Sequence, residues 1–460
     1  MLSRSLNPHE NEHRAGSVRS LFSASDHIRV GSRRWFLQTG LAGIGGLSLP
    51  NLLRAQTPQE KTRERKSVIL FWLSGGPSQI DTWDPKPDAP PEVRGPYATI
   101  PTSVPGVRFC EHLPLQARIA HKLTVIRSVD SSSSNHTPIT MQAGNPLARR
   151  TDKGRDGGGY PSMGSVAAKF RGPNVPTMPA FIGLADSWKA DVWGAGELGP
   201  SFEPVKGNEL PGRLALPPGI SVPTLRERGD LRKEFDRFQR DLDVSAQAQH
   251  IDRYSGMALD MVSSPAVRQA FELQNETDRL RDNYGRSSVG EKALLARRLV
   301  EAGTTFVVVS GRWGYFDHHG DDVPPWGGIQ KGLTPILPTI DRAMSALVED
   351  LDARGLLAST LVLMMGEFGR SPVMTKDRGR EHWVPVMSML TAGGNSPAGT
   401  VIGSTDSKGG AIKSGRVSPS DLGATVFKHL DIPLESQWVN PQGRPISIVT
   451  EDGRPIPEFS

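Results

Sequence analysis

Apolar residues along the chain gather into a few short runs with almost no polar interruption. The first, Val68-Ile69-Leu70-Phe71-Trp72-Leu73, is apolar on both faces of any strand it forms. A run of this length without alternation predicts a strand buried on both sides, as in parallel sheets covered by helices. Three more follow at residues 304–310 (TTFVVVS), 360–365 (TLVLMM) and 386–390 (VMSML). Between them the period lengthens. Residues 287–302 place Leu294, Leu295, Leu299 and Val300 on one stripe, while Ile336, Ile340, Ala343, Met344, Leu347 and Leu351 recur at helical spacing and residues 422–430 read as a last helix. This alternation predicts an α/β fold with a doubly wound, mostly parallel sheet flanked by helices.

The stretch at about 187–283 breaks the pattern: a Gly/Pro-rich part precedes a charged helical part, with no strand signal before Thr304. It reads as a helical cap inserted over the carboxyl edge of the sheet, where open α/β sheets bind ligands. A helical layer of the main domain is the alternative.

Charge changes the reading of the amino-terminal end. The whole chain carries 54 Lys and Arg against 49 Asp and Glu, but residues 1–55 hold seven Arg and three acids, leaving 47 basic against 46 acidic residues beyond them. A nearly neutral body gives no footing for nucleic-acid binding. The excess sits around Ser32-Arg33-Arg34-Trp35-Phe36-Leu37, followed by a weakly apolar stretch with Gly40, Gly43, Gly45, Gly46 and Pro50. This order of features predicts a twin-arginine signal over 1–55, read by the twin-arginine translocase, and a periplasmic or secreted product. The stretch is shorter than the roughly 20 apolar residues that span a bilayer, so no stable membrane span is expected. A polar linker at 56–66, one domain at 67–455 and a tail at 456–460 complete the expected organisation. Cys110 is the lone cysteine, which excludes an intrachain disulfide and any all-thiolate metal site.

A parallel sheet delivers the residues that follow its strands to one rim, so polar clusters after buried runs are the places to look for chemistry. Asp81 lies in the loop after the first run, and Asp317, His318 and His319 follow the run near 305. Glu367 and Arg370 follow the run near 362, and His382 precedes the last. A carboxylate and imidazoles so close in sequence suit zinc, manganese or a similar divalent ion, although adjacent histidines also occur on solvated loops. Glu367 is either a ligand or a partner of Arg370, and His382 is a ligand, a general acid or a satisfied core histidine. Residues Ser134-Asn135-His136-Thr137-Pro138 have a different logic. Thr137 suits a helix N-cap and Pro138 the first turn, which would aim backbone N–H groups at an anion and set a hydroxyl to attack phosphorus or sulfur. A plain N-cap is the simpler reading.

Taken in order, SGGPSQIDTWDPKP (74–87), FCEHLP (109–114), Asn135-His136, YPSMGS (160–165), FDHHGD (316–321), GEFGRSP (366–372), GREHW (379–383) and GRPI (443–446) resemble the exported, sulfatase-like family known as domain of unknown function 1501. The resemblance implies an alkaline phosphatase-like fold and a hydrolase site with one or two divalent ions (zinc, calcium or manganese). The superfamily places its nucleophile nine residues before an Ala-Gly or Thr-Gly pair; here Ala143-Gly144 points to Ser134, ahead of Thr137. His136 would assist catalysis, Arg370 would clamp substrate oxygens, and Asp81, Asp317, His318, His319, Glu367 and His382 would supply metal ligands. Three departures stand out: Ser74-Gly75 replaces Asp-Gly after the first strand, Glu367-Phe368-Gly369 replaces Asp-His-Gly, and Asp317 and His319 are spaced more tightly than usual. The expected function is metal-dependent hydrolysis of phosphate or sulfate esters, on a small molecule or a polysaccharide, outside the cytoplasm. The alternative is a non-catalytic binding protein for a cell-surface or polysaccharide partner.

Overall fold

The computed structural model describes residues 63–459 apart from 134, 151–155, 211–220, 222, 225–226, 228–260, 262, 313 and 324–325. These residues fall almost wholly in one of two units into which the chain divides, Arg65–Ser460. The expected signal segment lies outside the described residues.

Ten strands matter to the site: β1 (Ser67–Trp72), β2 (Thr124–Val129), β3 (Phe181–Leu184), β4 (Val205–Lys206), β5 (Phe306–Ser310), β6 (Thr360–Met365), β7 (Gly369–Arg370), β8 (His382–Trp383), β9 (Met387–Ala392) and β10 (Thr400–Ile402). Eight of them form one sheet in the order β10-β2-β9-β6-β1-β5-β3-β4. All but one run parallel; β9 is antiparallel to both of its neighbours, β2 and β6. Strands β1, β5 and β6 lie at its centre, every residue of each buried, as their unbroken apolar runs require.

The two faces of the sheet are read off alternate residues of these strands. Ile69, Phe71, Val307, Val309, Val362 and Met364 share a core with α5 (Ser288–Ala302) and α6 (Leu337–Ala353). Val68, Leu70, Trp72, Val308, Leu363 and Met365 share the other with α2 (Met163–Phe170) and α7 (Pro419–His429). Helix ends follow local chemistry. Ser287 accepts a hydrogen bond from Gly290 N at the start of α5, Gly303 ends it at φ 114°, and Ser418 with Asp421 forms a reciprocal capping box on α7.

Several elements escaped the sequence pattern. Strand β2 is interrupted by Arg127 and Ser128, and β3 and β10 have four and three residues, too short to show a period. Strand β4 lies in the stretch that carried no strand signal. Of the expected cap at 187–283, the described parts join the main layers: β4 pairs with β3, while α3 (Pro265–Phe271) and α4 (Asp278–Tyr284) bury Val267, Ala270 and Tyr284 in the core of α5 and α6. The remainder of that stretch is largely outside the described residues. In the expected tail at 456–460, the described residues Ile456 and Phe459 are buried in the same core as α7. No helix among the described residues is long and apolar enough to cross a membrane.

Candidate metal centre

The parallel strands end on one edge of the sheet, and because β9 runs the other way its preceding loop starts from that same edge. His136 comes from the loop after β2, Asp317 and His319 from the loop after β5, and His382 from β8, just before β9. One ligand atom from each of these four residues lies within 4.8 Å of all the others.

Asp317 Oδ1 is the focus. His319 Nε2 stands 2.9 Å from it, His136 Nε2 3.1 Å and His382 Nε2 3.7 Å, with His319 Nε2 and His382 Nε2 3.1 Å apart. A four-coordinate ion with bonds of about 2.0–2.2 Å spaces its ligand atoms about 3.3–3.6 Å apart. The spacing therefore brackets that of a metal site. Three imidazoles and one carboxylate form a borderline donor set that suits zinc or a similar transition ion.

The surrounding contacts fix these ligands. His136 Nδ1 is 3.0 Å from Glu367 Oε1 and His319 Nδ1 is 3.1 Å from Glu381 Oε2, so each of these two rings has its second nitrogen engaged by a carboxylate, the arrangement that orients metal-binding imidazoles. Phe368 stacks at 4.3 Å from the His382 ring and 5.0 Å from that of His136. The strand pair β7–β8 sets Arg370 opposite His382. Two glycines let loops press on the Asp317 segment. At Gly75, with φ 108°, a Cβ would stand 2.5 Å from Asp317 N; at Gly379 one would stand 1.9 Å from the His319 carbonyl. Arg380 N and Thr375 Oγ1 hold the carbonyls of His318 and His319.

Electrostatics agree with the geometry. Burial opposes charge on His136, but the hydrogen bonds to Asp317 and Glu367 outweigh it and push its pKa up to about 9. Burial would raise the Asp317 carboxyl, yet hydrogen bonds from His136, His382 and Arg370 hold it well below the usual carboxylate range. His382 moves down, chiefly through burial and with help from Arg370, His136 and His319 against the pull of Asp317.

Other expected residues lie elsewhere. Asp81 is not a ligand: its carboxylate is fully buried against Arg380, with Nε to Oδ2 at 2.6 Å and Nη2 to Oδ1 at 3.3 Å, and Ser78 Oγ donates to Oδ2 at 2.5 Å. His318 turns away from its neighbours. It is 2% exposed, its Nδ1 meets the Trp326 carbonyl at 3.2 Å, and burial drives its pKa down to about 4. Glu367 flanks the cluster, with Oε1 accepting from Gly75 N at 2.8 Å and Oε2 buried without a hydrogen-bond partner. Arg370 is no substrate clamp. Its buried guanidinium donates to Asp317 Oδ1 at 2.7 Å, to the carbonyls of Gly76 and Arg380 at 3.0 and 3.1 Å and to that of Gly75. Thr137 caps nothing: α1 (Ile139–Ala143) is capped by Pro138 without a side-chain hydrogen bond, and so short a helix offers no anion site. Ser134 lies outside the described residues. Glu381 and Phe368, to which the sequence reading gave no role, stand next to predicted residues; the runs GREHW and GEFGRSP were their respective signals.

A mixed α/β sheet with a three-histidine, one-aspartate cluster at its rim defines the class of protein at hand. The family model described as "Protein of unknown function (DUF1501)" matches residues 65–459, and the chain belongs to that family. No curated protein matches it in sequence. Similar solved structures include the PsFucS1 sulfatase from Pseudoalteromonas sp. (12% identity, 87% of this chain and 72% of that one, TM-score 0.36). The phosphonate monoester hydrolase from Silicibacter pomeroyi is another (9%, 86% and 76%, 0.36). A third is the alkaline phosphatase from the Antarctic bacterium TAB5 (12%, 80% and 99%, 0.30). At such values the site is read from its own side chains.

Proposed function

We propose that the protein is a metal-dependent hydrolase of phosphate or sulfate esters that acts outside the cytoplasm after twin-arginine export. The observation that carries this reading is the convergence of His136, Asp317, His319 and His382 from three segments of one rim onto a region 4.8 Å across. A divalent ion bound there supplies Lewis acidity, which polarises an ester oxygen and lowers the pKa of an attacking hydroxyl. The protein's own groups do the rest. Arg370 and the Gly75 loop fix Asp317, Glu381 orients His319, and Glu367 engages the second ring nitrogen of His136. Ser134, two positions before His136, is the nucleophile in this reading, as its spacing from Ala143-Gly144 suggests. The ordered motifs, which resemble those of the alkaline phosphatase and sulfatase superfamily, support phosphate or sulfate esters as substrates.

The test joins elemental analysis of the purified protein to hydrolysis of aryl phosphate and aryl sulfate. The expected result is bound transition metal, turnover, and loss of turnover in both Asp317→Ala and Ser134→Ala. Metal-free protein, or turnover indifferent to both substitutions, overturns the reading. A second reading is favoured by one observation: the Arg370 donors are all directed at the protein itself, which leaves that arginine nothing for substrate oxygens. On that reading the chain binds a sulfated polysaccharide without cleaving it, and metal-loaded protein that retains polysaccharide but hydrolyses nothing would establish it.

A further inference from the structure

A cavity of about 250 Å3 opens on the same edge of the sheet as the imidazole cluster, at the ends of the two strands beyond β5. One wall is the half-buried indole of Trp188, in the one-turn helix Trp188–Asp191 that follows β3. The ring can lie against the sheet because β3 carries Gly183 there, where a Cβ would stand 2.7 Å from it. Lys206 is opposite Gly183 in the strand register, and its Nζ stands 5.4 Å from the centroid of the indole. Hydrogen bonds hold the other walls. Asp186 Oδ2 meets Lys292 Nζ at 2.7 Å and Ser288 Oγ at 3.2 Å, Asn208 Nδ2 donates to the Ala185 carbonyl at 3.0 Å, and Lys206 Nζ is 3.2 Å from Glu209 Oε1. These contacts leave Asp186 Oδ1 and Asn208 Oδ1 able to accept, and Lys206 able to donate further.

The chemistry of these walls narrows the ligand. Each carboxylate has its own ammonium, Asp186 with Lys292 and Glu209 with Lys206, so the cavity favours neither an anion nor a cation. A wholly apolar ligand would strand the polar atoms that surround it. A neutral ring of hydroxyls and C–H groups meets every wall: its C–H groups cover the indole, while its hydroxyls both donate and accept. We propose that this cavity is a saccharide subsite, which takes one uncharged pyranose residue of a glycan. Its place on the rim gives the subsite a use. Strand β5, whose following loop carries Asp317 and His319, neighbours β3 and lies two places from β4, so the cavity's strands end about 5 and 10 Å from it. A glycan seated at Trp188 therefore runs toward the imidazole cluster, and the ester attacked there belongs to a residue further along the same glycan. That assignment of substrate class rests on the hydrolase reading, whereas the subsite itself does not.

The test is calorimetric titration of the whole protein with neutral hexasaccharides of glucose, of galactose and of mannose. The expected result is binding of at least one of the three, weakened by about 10-fold or more in Trp188→Ala and by less in Lys206→Met. Lys206 is exposed, so Lys206→Met reads the subsite even where Trp188→Ala fails to fold. Asp317→Ala should bind the saccharide as tightly as wild type. Aryl phosphate and aryl sulfate carry no sugar, and both subsite variants should hydrolyse them at the wild-type rate. Wild-type protein that binds none of the three at millimolar concentration overturns the inference, as does binding indifferent to both subsite variants. Slower aryl ester hydrolysis in Lys206→Met also overturns it, because the cavity would then serve the reaction and not the glycan. Saccharide binding that depends on Trp188 or Lys206, in protein that hydrolyses neither aryl ester, keeps the subsite and sinks the hydrolase reading.

Discussion

Two aspartate–arginine pairs sit on the same rim and behave differently. In both, a carboxylate from the loop after a central strand meets an arginine that is almost wholly buried, Asp81 with Arg380 and Asp317 with Arg370. Arg380 reaches both oxygens of Asp81, Ser78 takes a further lone pair, and the remaining donors of Arg380 go to the carbonyls of Val93, Ser371 and Pro372. Nothing is left over, and the side chains are closed to solvent. Arg370 meets Asp317 with one nitrogen, and the rest of that carboxylate's company is imidazole, which gives up a proton to a metal where a guanidinium does not. An acid delivered to the rim is thus only half of a site; the other half is whether its partners can be deprotonated.

The largest effect that would break this comparison is expected at the closed pair. Arg380→Ala leaves a buried carboxylate alone and should cost about 3–5 kcal/mol in chemical denaturation, with metal content per folded chain unchanged. Loss of metal from that variant while it stays folded would mean that Asp81 belongs to the centre after all. Next comes Asp317→Ala, which removes a ligand and also the counter-ion of buried Arg370, and should weaken metal binding by more than the roughly 100-fold ceiling typical of outer contacts, measured by competition with a chelator. A smaller effect belongs to Glu381→Gln. Its carboxylate is exposed, so the loss of its contact to His319 should weaken metal binding by about 10-fold or less.

The finest test uses pH. Metal-free protein holds His136 charged, with its pKa raised to about 9 from an unfolded value near 6.5. The stability it contributes is complete below pH 6.5 and fades as pH climbs through 9. Metal must displace that proton, so uptake at pH 7 should release about one proton from this ring per ion, falling toward none above pH 9. Calorimetry in buffers of different ionisation heat checks it. Release independent of pH across that window would show that His136 is not a ligand. His318 and His429 work in the opposite sense. Both are held neutral by burial, with pKa values near 4, so the fold should lose stability as pH falls from 6.5 toward 4.

The central strands could be read directly from the chain because burial on both faces leaves a run such as TLVLMM with nothing polar to hide. Direction could not: the apolar pattern of residues 387–392 is the same whichever way the strand runs, and only pairing shows that it opposes its neighbours. The rim rule drew attention to Asp317, His319 and His382, and the Asn-His motif to His136, and the structure brings all four together. It also drew in His318 and Asp81, for definite reasons. Along the Asp317–His319 loop adjacent side chains point apart, so His318 enters the core while those on either side face the cluster. The partner of Asp81 is 299 residues away in sequence, and no local pattern tells an acid that will find an arginine from one that will find a metal.

The reversed strand has a consequence for how this protein could change over time. The chain leaves the sheet at the end of β6 and re-enters at β9 from the same side, so everything in between, from Glu367 through Arg370 to Glu381 and His382, is a single excursion over the rim. Such a loop could be exchanged without breaking a strand pairing of the main sheet, altering what the centre grips, provided that the replacement still brings buried partners to Asp81 and Asp317.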